Sequence, residues 1–194
     1  SENLKIPMEN LRWYAAFHNE SHHPHVHLIA YSLLENEGYL TKKGVENLRS
    51  SLARDIFAQD LLSVCEQQTE HRDALRAEGK KLAEEIAAGI HAGSYDNPVL
   101  ENKLTELAGR LARTGGKKVY GYLKADVKDL IDNIVDELAK DERIASLYSL
   151  WYEKREEVLK TYTMDMPARV PLSRNPEFKP IRNAVTQAAM EIMA

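Results

Sequence analysis

A short β-hairpin followed by an all-helical remainder is what this sequence predicts: an α+β chain, predominantly helical, with about five to six α-helices. Three observations carry that reading. Two runs rich in aromatic or branched residues, Arg12–Phe17 and Leu28–Tyr31, flank a histidine-rich stretch in the pattern strand, loop, strand. Beyond Thr41 the apolar residues recur every three to four positions, the helical period. The breaks between those periodic segments carry glycine, proline or capping residues.

The first ten residues are a lead-in with a turn expected around Pro7–Asn10, and the hairpin occupies roughly 12–31. Five of the seven histidines lie in His18–His27. Side chains alternate along a strand, so Tyr14, Ala16 and His18 share one face of the first strand. His25, His27, Ile29 and Tyr31 share one face of the second. With 19–24 as the loop, His18 falls opposite His25, and Ala16 opposite His27. Paired side chains in such a ladder sit about 5 Å apart and diagonal ones about 7–8 Å, so three imidazoles converge. A slip of one residue would abolish the convergence. The reverse face, Trp13, Ala15, Phe17, Val26, Leu28 and Ala30, is apolar and suited to pack on helices.

Residues 32–40 read as a polar loop, and Thr41 as the N-cap of a helical stretch. Val45, Leu48, Leu52, Ile56, Leu61 and Val64 form an apolar stripe that resumes at Leu75, Leu82, Ile86 and Ile90 and ends at Gly93. This is one very long helix or two with a kink. Asn97-Pro98 caps and opens the next helix, which runs to about Thr114, where Gly115-Gly116 breaks it. The basic and aromatic segment Lys117–Lys124 is not helical by pattern. Helices with core positions Val127–Leu138 and Ile144–Tyr162 follow, joined tightly through Lys140–Glu142. A loop over 163–175 leads to a last helix from about Pro176. The chain therefore divides into 1–40, carrying the sheet element, and a helical region, 41–194.

Bulk properties narrow the function. Charged residues make up 29% and the mean hydropathy is −0.48, as expected of a soluble chain. No apolar run approaches the roughly 20 residues that a bilayer-spanning helix requires. From the polar start no signal peptide is expected. The single cysteine, Cys65, excludes an internal disulfide framework and fits a reducing, cytoplasmic compartment. It falls on an apolar helix stripe and is expected to be buried and inert. A net charge of −4 argues against coating nucleic acid by bulk electrostatics, yet leaves room for local basic surface. A two-stranded hairpin is marginal alone. The chain is thus expected to be a piece of a longer protein with sheet partners upstream. Its hairpin should either make homodimer contacts through its edge or be covered by the chain's own helices.

Neutral imidazole is the commonest protein ligand for transition metals. Three of them with open positions suit catalysis better than a closed structural site. By softness alone the donor set favours zinc, copper or nickel. His22 and His23 belong to the loop and are read as accessory; His71 and His91 are isolated on polar helix surface.

The spacing His18, His25, His27 resembles the third signature motif of HUH endonucleases, in which His25-Val26-His27 is the histidine–hydrophobic–histidine triplet. His18 seven residues earlier resembles the third ligand of plasmid-mobilisation relaxases, with Glu20 and Pro24 at the acidic and proline positions of that motif. Trp13–His18, Tyr39–Gly44, Gly115–Lys118 and Tyr120–Leu123 are similar to the MobL group of P-class relaxases, over nearly the whole chain. The resemblance implies an enzyme that nicks single-stranded DNA at a transfer origin. The nicking tyrosine stays joined to the 5′ end, as plasmids and conjugative elements require for mobilisation. It implies His18, His25 and His27 as ligands of a divalent metal, manganese or magnesium, with zinc or nickel accepted in vitro. Relaxosome accessory or coupling proteins are the implied partners.

The sequence departs from that family at the nucleophile. Relaxases place the catalytic tyrosine near the N-terminus, upstream of the histidines, and Ser1–Leu11 contains none, so the resemblance implies a fragment that lacks its nucleophile. Tyr14 and Tyr31 share the histidine face, though strand aromatics are the ordinary reading. Tyr120 and Tyr122 would mimic the order of replication initiators; Glu20 is a candidate acid, base or outer-shell group. Lys42, Lys43, Lys117, Lys118, Lys124, Arg169 and Arg174 lie in or beside loops, where they are candidates for phosphate contact. A rival of another class is a non-catalytic helical interaction or oligomerisation module with an adventitious histidine-rich turn. A third is an unrelated metal hydrolase.

Overall fold

The computed structural model describes residues 1–19, 24–163 and 165–192. Strands β1 (Leu11–His18) and β2 (His25–Ser32) pair antiparallel in a two-stranded sheet, and among the described residues six helices follow. These are α1 (Lys42–Ile56), α2 (Ala58–His91), α3 (Pro98–Ala112), α4 (Ala125–Leu138), α5 (Glu142–Tyr162) and α6 (Lys179–Glu191). Short 3-10 turns cover Glu2–Leu4, Tyr120–Tyr122, Leu172–Arg174 and Pro176–Phe178. The fold is the α+β, predominantly helical one that the periodicity predicts.

Two compact units divide the chain: residues 1–61 with 159–165, and 62–158 with 166–194. In the first, the predicted turn is present, with Leu11 N–H donating to the Pro7 carbonyl at 3.0 Å. Thr41 caps α1, its Oγ accepting from the Gly44 N–H at 2.9 Å. The stretch from 41 to 93 is two helices, since α1 stops at Ile56 and α2 begins at Ala58, with Phe57 between them.

The large core lies in the second unit. Leu75, Leu107, Ile131, Ile134, Val135, Ile144, Phe178 and Val185 are fully buried there, most at the helical positions read from the sequence. Asn97 Oδ1 accepts from Leu100 N–H at 3.2 Å and Pro98 opens α3, so polar capping and fixed φ start that helix where the sequence places it. Gly79 lets α2 approach α6 closely, because a Cβ there would sit 2.8 Å from Ile181 Cδ1. Trp151 and Phe178 meet edge to face at 5.1 Å and 80°, a geometry favoured by the ring quadrupoles.

Three expectations fail. The reverse face of the hairpin does not pack on helices: Trp13 is 62% exposed, Phe17 67% and Leu28 64%. The ribbon is amphipathic in pattern, but none of the described elements of its own unit lies over its apolar side. On α1, Val45, Leu52 and Ile56 are exposed, and Gly44 and Ala53 are the buried positions. Helical spacing identifies a stripe but not whether anything covers it. Cys65 is exposed rather than buried, for the same reason.

Candidate metal centre

Register decides this site. The ladder pairs His18 with His25, Ala16 with His27 and Tyr14 with Ile29, as the alternation requires. The ring centroids of His18 and His25 are 5.4 Å apart, those of His18 and His27 4.7 Å, and those of His25 and His27 4.9 Å. The diagonal pair across the strands is the closest because strand side chains lean along the chain direction. One ring nitrogen from each histidine lies within 4.8 Å of the others, and all three side chains are exposed.

The far end of the hairpin is pinned by a group the sequence did not single out. Glu37 accepts from Asn10 Nδ2 at 3.1 and 3.0 Å and from the Ser32 hydroxyl at 2.6 Å. Asn10 precedes β1 and Ser32 ends β2, so one carboxylate ties both strands where they leave the ladder. Leu33 N–H donates to the Asn10 carbonyl at 2.9 Å beside it. A lone glutamate in a polar loop carries no local signal of that role.

The donor set fits a metal. His25 Nε2 and His27 Nε2 are 3.1 Å apart, and imidazole nitrogens at about 2.0–2.1 Å from a common ion lie about 3 Å from each other. Neutral rings would turn their lone pairs to the ion in place of sharing a proton. Three ligands from one small ribbon leave the solvent side open, as catalytic centres require and structural ones do not.

The tyrosine candidates separate by environment. Tyr14 and Tyr31 lie on the histidine face, stacked at 6.3 Å, and contact with Tyr14 raises the Tyr31 pKa. Tyr120 donates its hydroxyl to both oxygens of Asp132, at 2.9 and 3.0 Å. Burial, then that carboxylate, holds its pKa above the usual phenol value. Tyr122 is 73% exposed. Glu20, His22 and His23 lie outside the described residues.

The seven basic candidates also separate. Lys42 pairs with Asp165 at 2.8 Å and Lys43 with Glu46 at 3.7 Å. Arg169 grips Glu156 through two hydrogen bonds of 2.6 and 3.0 Å and lies over the Tyr152 ring. Arg174 is 3.6 Å from Asp132. Lys117 sits over the Tyr122 ring at 5.6 Å, and among the described residues Lys117, Lys118 and Lys124 have no ion-pair partner.

A ribbon that presents three convergent, exposed imidazoles is an open-sided candidate metal centre. The chain as a whole places it further: residues 3–193 match the family of MobL relaxases, and the chain belongs to that family. No curated protein and no solved structure matches it. Among the described residues no helix is long and apolar enough to cross a membrane.

Proposed function

We propose that this chain serves DNA relaxation in mobilisation of a plasmid or conjugative element. His18, His25 and His27 would hold the divalent metal beside which one strand is nicked at a transfer origin. The convergence of the three imidazoles on one face of the hairpin carries the reading, and family membership supports it. When bound, the metal supplies Lewis acidity toward a phosphodiester oxygen. The histidines' part is to fix its place and leave positions open for the phosphate. Nitrogen donors favour manganese over magnesium, which prefers oxygen; zinc and nickel should bind in vitro.

In the proposed step a tyrosine oxygen forms a bond to phosphorus as the bond to the 3′ oxygen breaks, and the hydroxyl proton passes by way of water to that leaving oxygen. Of the tyrosines on the histidine face, Tyr14 pairs two residues along from the position opposite His27. Tyr31 is four residues beyond His27 on the same strand, about 13 Å away. Tyr14 is therefore the better placed within this chain. Tyr120 is a poor nucleophile while Asp132 keeps its proton bound. The cytoplasm is the proposed site of action, where accessory and coupling proteins would meet the DNA complex.

Calorimetric titration of manganese into the wild type, His25→Ala and His27→Ala tests the centre. Loss of the isotherm in both variants is expected; three indistinguishable isotherms would remove the metal reading. Nicking of a supercoiled plasmid carrying the element's transfer origin, with and without Tyr14→Phe, tests the step.

The exposed apolar residues Val45, Leu52 and Ile56 of α1 favour a second reading, a helical oligomerisation module. It predicts self-association that survives substitution of all three histidines, and a monomer in sedimentation at high concentration would remove it.

A further inference from the structure

The helical unit carries a second concave surface, far from the histidine motif in sequence and built around the Gly115-Gly116 turn. Arg110, Arg113, Thr114, Tyr122, Lys124 and Asp126 line a cavity of about 570 Å³. The turn itself depends on glycine, since Gly116 adopts φ +81°, a conformation that side-chain-bearing residues rarely take. It ends α3 and returns the chain so that Tyr122 stands beside the last turn of that helix. Tyr122 projects into solvent, 73% exposed, with the Lys117 ammonium over one side of its ring.

Charge pairing distinguishes this place from the other basic candidates beside loops. Lys42, Lys43, Arg169 and Arg174 each have a carboxylate within 4 Å. Arg110 is likewise engaged by Glu106 at 2.7 Å and Asp126 at 3.2 Å. Arg113 makes only a hydrogen bond to the Gly109 carbonyl at 3.2 Å, and Lys117 and Lys124 have no carboxylate partner among the described residues. Uncompensated cations around an exposed aromatic ring are what a nucleic-acid strand needs: phosphates take the charges, and an unpaired base takes the ring face. An acidic peptide would use the cations but leave the ring unexplained.

We propose that the Gly115–Lys124 turn is a binding site for single-stranded nucleic acid. One unpaired base stacks on Tyr122, and the flanking phosphates are held by Arg113, Lys117 and Lys124. The site deepens the relaxase reading and rests on it for its ligand. It adds a grip on the strand within the helical unit, built independently of the metal ligands. A duplex, whose bases are already stacked, would have only the cations to bind.

Fluorescence anisotropy with a short labelled oligothymidylate and the full chain tests it. Tyr122→Ala should weaken binding about tenfold, the loss expected for one stacked base, while Tyr122→Phe retains wild-type affinity. Arg113→Ala with Lys117→Ala should lower the slope of log affinity against log salt by about 1.4, at about 0.7 for each single-strand phosphate no longer neutralised. Lys80→Ala and Lys81→Ala, at surface lysines of α2 paired with Glu84 and Glu85, should leave that slope unchanged. Circular dichroism checks that the variants fold, which is expected because the altered side chains are at the surface. Wild-type affinity in both Tyr122→Ala and the double variant would overturn the site. If the histidine variants still lost metal in that case, the relaxase reading would stand. Failure of the wild type to bind oligothymidylate, with binding of polyglutamate instead, would also overturn it in favour of a protein partner. Persistence of Tyr122-dependent binding after substitution of His18, His25 and His27 would support it even if the metal centre failed.

Discussion

The hairpin and the helical core solve opposite problems. In the second unit the apolar side chains of the core are covered: Leu107, Ile131 and Val135 have no exposed surface. In the hairpin they are open on both faces, with Trp13 and Ile29 on opposite sides and both more than 60% exposed. The core draws its stability from burial, whereas the ribbon holds its geometry through a ladder and a carboxylate clamp. A site carried by such a ribbon depends on register more than on packing.

The largest effect that would test this contrast is a core truncation. Trp151→Ala should cost about 3–5 kcal/mol in urea denaturation, and Trp13→Ala less than about 0.5 kcal/mol. Equal costs would mean that the hairpin is packed after all. Next, His27→Ala should reduce manganese affinity by more than about a hundredfold, since even the loss of supporting groups costs ten- to a hundredfold. Affinity in the wild type should also fall as pH is lowered, because imidazole binds metal only when unprotonated.

A smaller effect, about tenfold in manganese affinity, is expected for Glu37→Ala. It removes the clamp at the far end of the ladder without touching a ligand, so hydrogen exchange at Leu33 should quicken in parallel. Unchanged metal affinity with faster exchange would show that the ladder holds its own register. The smallest effect is electrostatic and belongs to the helical unit. Lys140, then Lys103, lower the Glu137 pKa, and Arg143 lowers that of Asp141. A carboxyl depressed in the folded state contributes stability above its unfolded value of about 4, and that stability is lost as pH falls through the folded value. Glu137→Gln should therefore narrow the difference in urea midpoint between about pH 6 and about pH 3.

Much of the site was legible because its determinants are local. The alternation of His18, His25 and His27 and the six-residue separation of the strands were enough to place the imidazoles on one face. Caps at Thr41 and Asn97 were legible for the same reason: a side-chain oxygen and an N–H three residues on must meet wherever that turn forms. Phe57 was not, since nothing in the residue announces a break between two helices.

The order of elements, the facing of the histidines and the identity of the core positions in α4 are written in the residues alone. They follow from periods of 2 and 3.6 residues, which every short segment carries within itself. What those faces meet is settled by the folded chain. Folding left the apolar side of the hairpin and Cys65 open, gave Tyr120 to Asp132, gave Arg169 to Glu156, and left Arg113 and Lys117 without carboxylates among the described residues. Partners distant in sequence settle such matters, and a repeating pattern along one segment contains no information about them.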